Sequence, residues 1–320
     1  MNVDPSTGLI ASAPPASSAC TGNIVSFRER WRQLKLAHCA VPDYGNSRQF
    51  WSSRKNIHTV YTKGTTDHDR ITETRLSAMN ITDSSRVLDI GAGPGTYAIP
   101  LARRGCRVTV IEPSPVMREL LAARMDAENI RGITVIPRRW EDVEVTAFAK
   151  PFDAVIASFS LTMMDMGAAL LKMHACCSGT VHLYWFLTSP AWAQVNADLW
   201  PLLHGGTFPG EPTADWLWQI LYEMGIYAAI QPEPRQPPAR YADVDAALEE
   251  YRQRLNCTTP AQEEIVRNYF LTVLRQDENG YALGEGPVSA HIWWSTAEKK
   301  PAGTHHKKIL RKDMLDWRNV

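Results

Sequence analysis

No apolar run in this sequence approaches the ~20 residues that a bilayer span requires. Residues 1–23 are rich in Ala, Ser, Pro and Thr but carry neither a basic n-region nor an apolar h-region, so they read as a disordered tail rather than a signal peptide. Neither sign of charge is in excess: Lys plus Arg and Asp plus Glu stand at 34 each, and no global field recruits nucleic acid or an anionic membrane. The six cysteines (20, 39, 106, 176, 177 and 257) include no C-x-x-C pair, and two are adjacent, a poor basis for a disulfide framework. Metal ligands are equally sparse. Asp165 stands apart from any Asp, Asn or His cluster, and His305 and His306 lack structural zinc spacing. These absences predict a soluble, cytoplasmic protein with reduced thiols, no metal and no membrane segment.

What the chain does have is Val87-Leu88-Asp89-Ile90-Gly91-Ala92-Gly93-Pro94-Gly95-Thr96, an apolar strand running into a loop with three glycines. A helical pattern follows. Glycine lets such a turn take positive φ and lets a ligand lie against bare backbone, while the unpaired N–H groups of the first helical turn face whatever the loop holds. The spacing is not the G-x-G-x-x-G of dinucleotide sites, because the glycines fall at 91, 93 and 95 and position 96 is Thr. A nicotinamide oxidoreductase is disfavoured on that ground. A nucleotide-binding protein without catalysis stays open.

The pattern Asp-x-Gly-x-Gly-x-Gly resembles the first motif of the class I S-adenosylmethionine (SAM) methyltransferases. A second match is Arg107-Val-Thr-Val-Ile-Glu112, an apolar run ending in an acid 17 residues beyond Gly95. A third lies around Ile133–Pro137 and Arg138-Arg-Trp-Glu-Asp142. The resemblance implies SAM as cofactor, with Asp89, Gly91, Ala92, Gly93, Gly95 and Thr96 at its methionine end. It implies Glu112, followed by Pro113 and Met117, at the ribose, and Trp140, Glu141 and Asp142 at the adenine. Ser158 and Phe159, after the fourth strand, complete the expected crevice. Family members that methylate exocyclic amines of DNA bases carry an Asp/Asn-Pro-Pro-aromatic motif after that strand, and those acting on cytosine carbon 5 need a Pro-Cys nucleophile. This chain has Ala157-Ser158-Phe159-Ser160 there, so nucleic acid is not the expected acceptor.

Hydrophobic periodicity predicts an α/β, doubly wound, mostly parallel seven-stranded sheet with helices on both faces. An N-terminal helical extension and a helical insertion between the last two strands complete it. The strands fall at 86–90, 107–112, 133–136, 152–158, 180–187, 226–231 and 287–295. Core helices are predicted at 95–104, 114–128, 142–149 (short) and 165–177, with a kink or restart at Pro100. Three helices (26–40, 47–62, 67–80) precede the sheet, and the second carries Trp51, Arg54, His58 and Tyr61 as candidate walls of a substrate pocket. The chain thus divides into a tail (1–23), a helical cap (24–80), a SAM-binding core (81–189), an aromatic-rich substrate cap with the last two strands (190–295) and a basic tail (296–320).

Beyond residue 189 the resemblance is only architectural. Residues 190–212 hold four prolines and a Gly-Gly pair and read as a partly ordered loop or short helix. About fifty residues, with helices predicted at 243–255 and 260–276, interrupt the last strand pair. Trp is concentrated from residue 185 onward, and aromatic faces attract sulfonium and ammonium groups by roughly 0.5–2 kcal/mol each. Ser160, Trp192 and Trp200 are therefore substrate candidates, and His204, beside Gly205 and Gly206, is a candidate general base. The same tryptophans equally suit core packing or a homodimer interface. The function expected is methyl transfer to a small molecule held under an aromatic-rich cap. A protein or tRNA acceptor, with the basic tail as anchor, is the alternative.

Overall fold

The computed structural model describes residues 25–41 and 65–297. The predicted helix over 47–62, with Trp51, Arg54, His58 and Tyr61, lies outside the described residues, as do residues 1–23 and the chain beyond Ala297. Among the described residues, no helix is long and apolar enough to cross a membrane and no group of His, Cys, Asp and Glu is arranged to hold a metal ion.

The described chain opens with α1 (Phe27–Ala40) and α2 (Thr65–Ala78). The core alternates β1 (Arg86–Ile90), α3 (Ala98–Arg103), β2 (Arg107–Ile111), α4 (Pro115–Ala127), β3 (Ile133–Ile136), β4 (Phe152–Ser158), α5 (Met166–Cys176) and β5 (Cys177–Phe186). Then come α6 (Ala191–His204), α7 (Ala214–Glu223), β6 (Ala229–Pro232), β7 (Ala239–Tyr241), α8 (Val244–Arg254), α9 (Pro260–Val273), β8 (Leu274–Asp277), β9 (Gly280–Leu283) and β10 (Ser289–Ser295). Seven strands form one sheet in the order β3-β2-β1-β4-β5-β10-β6. The first five are parallel, and β10 runs antiparallel between β5 and β6. The carboxyl ends of β1, β4, β5 and β6 and the start of β10 therefore meet at one edge, where ligands bind in open α/β sheets.

Burial explains the strands. Val87, Leu88 and Ile90 lie at 1% exposure or less, as expected of a parallel strand covered on both faces. On one face Leu88, Ile90, Val155 and Leu183 pack beneath α1, α5 and α7. On the other Val87, Ala154, Ile156 and Tyr184 pack with Leu76 of α2, Ile99 of α3 and Leu121 of α4. Two N-caps fix the first face: Ser26 accepts from Glu29 N–H at the start of α1, and Asp165 accepts from Ala168 N–H at the start of α5. Asp165 also pairs with Arg28 at 2.9 Å, so the acid that stood apart in the sequence joins these two helices.

Four expectations are corrected. The helix predicted from 95 begins at Ala98, so Pro100 falls in its first turn and the chain needs no kink there. The short helix predicted at 142–149 is instead two single 3₁₀ turns, Trp140–Asp142 and Val145–Ala147. Residues 191–204, read within 190–212 as a partly ordered loop or short helix, form the full 14-residue α6, because Val195, Leu199 and Trp200 bury along one side and Pro201 sits in the last turn. Finally, the insertion between β6 and β10 is not purely helical. It holds a second sheet, β7-β9-β8, beside α8 and α9. A reciprocal capping box between Thr259 and Gln262 opens α9. Leu199 and Trp200 of α6, Tyr251 and Leu255 of the α8 end, and Val266 and Phe270 of α9 make a core of their own, which seats the insertion on α6 beside the ligand edge of the main sheet.

Candidate functional site

The glycine loop leaves β1 and turns back onto α3. Gly91 has φ +73°, and a Cβ there would stand 2.3 Å from Cβ of Ser160; Gly95 has φ +86°, and its Cβ would meet Leu121 at 2.5 Å. Both positions thus require glycine for conformation and for space. The Ser160 hydroxyl donates to the carbonyl of Ile90 at 2.5 Å and so braces the loop from behind. At the end of β2 the Glu112 carboxylate accepts from Gly93 N–H and from Ser114 N–H, each at 2.8 Å, tying the glycine loop to the start of α4. Burial pushes the Glu112 pKa up, and these two backbone donors and Arg118 draw it back.

Asp89 is the unusual group. It is 1% exposed, it accepts from the backbone of Ala98 at the start of α3, and its Oδ2 is buried with no hydrogen-bond partner. Burial and, second, the charge of Glu112 raise its pKa from 3.8 to about 7. A buried carboxylate oxygen without a partner is costly. A cationic donor would satisfy it.

From Asp89 a cleft of about 440 Å³ runs outward past Gly91, Ala92, Thr96 and Tyr97 and over Ser158 and Phe159. Helix α2 closes one side with Ile71, Thr72 and Arg75. The far end is built by Trp192 of α6 and by the insertion, through Pro237, Pro238, Tyr241, Glu250, Tyr251 and Arg254. One buried guanidinium draws these parts together. Arg75 gives both prongs of its fork to Glu233, just past β6, at 2.7 and 2.6 Å. It reaches Ser289 Oγ at 3.4 Å and the Tyr97 hydroxyl at 3.2 Å. Its face lies 5.1 Å from the Phe159 ring and 4.8 Å from the Tyr184 ring. Burial opposes charge on Arg75 and on Glu233 alike, but their mutual hydrogen bonds outweigh it and keep both ionised. Phe159 takes φ +52°, a left-handed conformation that non-glycine residues adopt at some cost and that functional sites concentrate.

The structure gathers some of the sequence candidates and separates others. Asp89, Gly91, Ala92, Thr96, Ser158, Phe159 and Trp192 line the cleft. Gly93, Gly95 and Glu112 build the loop that borders it, and exposed Pro113 and buried Met117 flank Glu112. Glu141 and Asp142 are exposed on the 3₁₀ turn after β3, Asp142 in a two-pronged pair with Arg139. Trp140 turns the other way. Its indole is 2% exposed, donates to the carbonyl of Ala169 at 3.1 Å and lies under Lys172, so it packs the core between the turn and α5. Ser160 stands behind Gly91, not in the cleft. Trp200 is buried in the insertion core against His204, at 4.3 Å between rings, and His204 Nε2 is 2.7 Å from the carbonyl of Leu255; neither lines the cleft. Trp51, His58 and Tyr61 lie outside the described residues.

Arg75, Tyr97, Tyr184, Glu233 and Ser289 are absent from the sequence candidates. Tyr97 carried a signal, since it follows Thr96 at the mouth of the glycine loop. Glu233 carried none, because it sits among prolines and joins the site only when β6 is brought to the edge of the sheet.

Residues 87–178 match the family model described as a methyltransferase domain. An uncharacterised protein of Haemophilus influenzae is 32% identical over 166 residues, 48% of this chain and 56% of its own length. The ubiquinone biosynthesis O-methyltransferase of Methylocella silvestris is 43% identical over 72 residues, 22% of this chain and 27% of its own length. The chain thus spans little more than half of one of these relatives and about a quarter of the other. Other matches carry the names of ribosomal RNA and protein L-isoaspartate methyltransferases. Among solved structures, a cyclopropane-fatty-acyl-phospholipid synthase-like protein from Lactobacillus casei superposes with TM-score 0.50 at 15% identity, over 71% of this chain and 90% of that one, a likeness of fold.

Proposed function

Because the chain belongs to the class I SAM-dependent methyltransferases, we propose that it transfers a methyl group from SAM to a small molecule held in the cleft beneath the insertion. The observation that carries this reading is the unpartnered Oδ2 of Asp89 above a loop where side chains at 91 and 95 would collide, with Glu112 bonded to that loop and one cleft leading from it to the insertion. Asp89 would take the cationic amino group of the cofactor's methionine end, Gly91 to Gly95 would admit its backbone-close part, and Glu112 would accept from the ribose hydroxyls. Glu141 and Asp142 would border the adenine, with Trp140 supporting their turn from the core side.

When bound, SAM supplies a methyl group on a sulfonium, whose transfer depends on alignment and exclusion of water. The residues of the cleft suit those two tasks. Phe159, Phe186, Trp192 and Pro237 exclude water, and the Arg75–Glu233 pair holds α2 against the ends of β6 and β10. Trp200 supports the insertion from within its core. His204, bonded to the Leu255 carbonyl, supports α8 and is not needed as a base.

The test is incubation of the full-length protein with methyl-tritiated SAM and an extract of its source cells, followed by ultrafiltration. Label is expected in the low-molecular-weight filtrate, in a product that chromatography separates from unreacted SAM. Label retained with protein or RNA would replace the small-molecule acceptor by a macromolecule, and no transferred label in either fraction would count against the activity.

A further inference from the structure

We propose that the acceptor is an oxygen acid used in its ionised form and that Tyr97 selects it, donating its phenolic proton to the acceptor's oxyanion. This rests on the methyltransferase reading above. Tyr97 lines the cleft yet is 4% exposed. Its oxygen accepts twice, from Arg75 Nη1 at 3.2 Å and from the Ser158 hydroxyl at 3.2 Å. A phenol is both donor and acceptor. With two donors on its oxygen, only its own proton is left to bond, so the hydroxyl offers the cleft a donor. Burial pushes the phenol's pKa up, so that proton stays on. The guanidinium behind it polarises the O–H toward donation and strengthens a bond to an anion. An ammonium group, which only donates, meets the wrong polarity there.

The surrounding groups agree. Glu233, the acid bonded to Arg75, spends its oxygens on Arg75 and Ser289 and does not line the cleft. The lining carboxylates are Asp89, at the cofactor end, and Glu250, 3.5 Å from Arg254 at the far end. The His204 ring bonds outside the cleft. Among the described residues, an amine that must lose a proton before attack finds no base beside Tyr97. An ionised oxygen needs none: its lone pair makes the new C–O bond, the electron pair of the breaking C–S bond stays with sulfur, and no proton has to leave. Phe186, Trp192, Pro237 and Pro287 would receive an apolar body on that acid.

The test uses the full-length protein saturated with S-adenosylhomocysteine (SAH), whose binding is measured first, so that a failure of the cofactor reading is seen separately. Matched probes with a common body are then titrated by calorimetry at neutral pH: phenylacetate against phenethylamine, and 1-naphthoate against 1-naphthylmethylamine. The acid of each pair is expected to bind about tenfold or more tightly than its amine, the scale of one hydrogen bond to a charged group. Tyr97→Phe is expected to remove that preference and to leave SAH affinity within about threefold. Equal binding, amine preference, no binding of any probe up to ~10 mM, or a preference that survives Tyr97→Phe would overturn the proposal. So would a loss of SAH affinity of about tenfold or more in Tyr97→Phe, which would assign the donor to the cofactor's own carboxylate. If that variant does not fold, Ser158→Ala, which opens a lone pair on Tyr97, must reduce the same preference, and an unchanged preference overturns the proposal.

Discussion

Replacing Asp89 by Asn should stabilise the ligand-free protein at alkaline pH while weakening its hold on SAM. The carboxyl is 1% exposed with one oxygen unpartnered, and burial and Glu112 raise its pKa from 3.8 to about 7. Between about pH 4 and pH 7 the folded state therefore keeps a proton that the unfolded chain has lost. Stability contributed by this group is present below about pH 4 and declines as pH rises through about 7. A displacement from 3.8 to about 7, at about 1.4 kcal/mol for each tenfold change in proton affinity, sets an upper bound of about 4 kcal/mol on that decline. Relaxation around a real buried charge reduces it, and about 1–3 kcal/mol is expected. Asn stays neutral throughout. Urea unfolding of wild type and Asp89→Asn at pH 5 and pH 8 should show the variant gaining on the wild type by that amount at the higher pH, while calorimetry shows SAH binding weakened about tenfold or more. The reasoning is refuted if the stability difference is the same at both pH values, or if the variant is the less stable at pH 8.

Arg75→Met leaves the Glu233 carboxylate buried without its partner and should cost about 3–5 kcal/mol of stability by urea unfolding, with part of it recovered when Glu233→Gln is added. His204→Gln should cost about 1 kcal/mol through the lost bond to the Leu255 carbonyl and leave the pH profile of turnover unchanged. A general base would instead lose one limb of that profile.

The parts of the fold legible in the sequence are those fixed by local periodicity. The strands at 86–90, 133–136 and 152–158 fall where the apolar runs put them, and Pro260 after Thr259 marked the start of α9. What escaped depends on tertiary burial. Residues 191–204 read as a loop or at most a short helix because prolines and glycines crowd the stretch, but burying Val195, Leu199 and Trp200 against the insertion outweighs the single bond Pro201 forfeits and carries the helix through 14 residues. The hairpin of β8 and β9 escaped the helical reading of the insertion: it turns through Glu278 and Asn279, and Gly280 opens β9 at φ +103°. The glycine loop from Asp89 to Thr96 is picked out by its spacing because it is contiguous in sequence, whereas Glu112 enters through the family resemblance, at the end of the next strand. The Arg75 network is reached by neither route, since its members are 158 residues apart from Arg75 to Glu233 and meet only once the sheet order is set. Trp140 and Trp200 show the converse: an aromatic residue near a site in sequence is often there to pack.

The central claim is tested most directly by calorimetric titration of the full-length protein with SAM, SAH and NAD, repeated with Glu112→Ala. Micromolar binding of both adenosyl ligands, no comparable binding of NAD, and a loss of about tenfold or more in the variant, roughly 1.4 kcal/mol, are expected. If neither SAM nor SAH binds, the glycine loop serves another ligand and the account of the site is wrong.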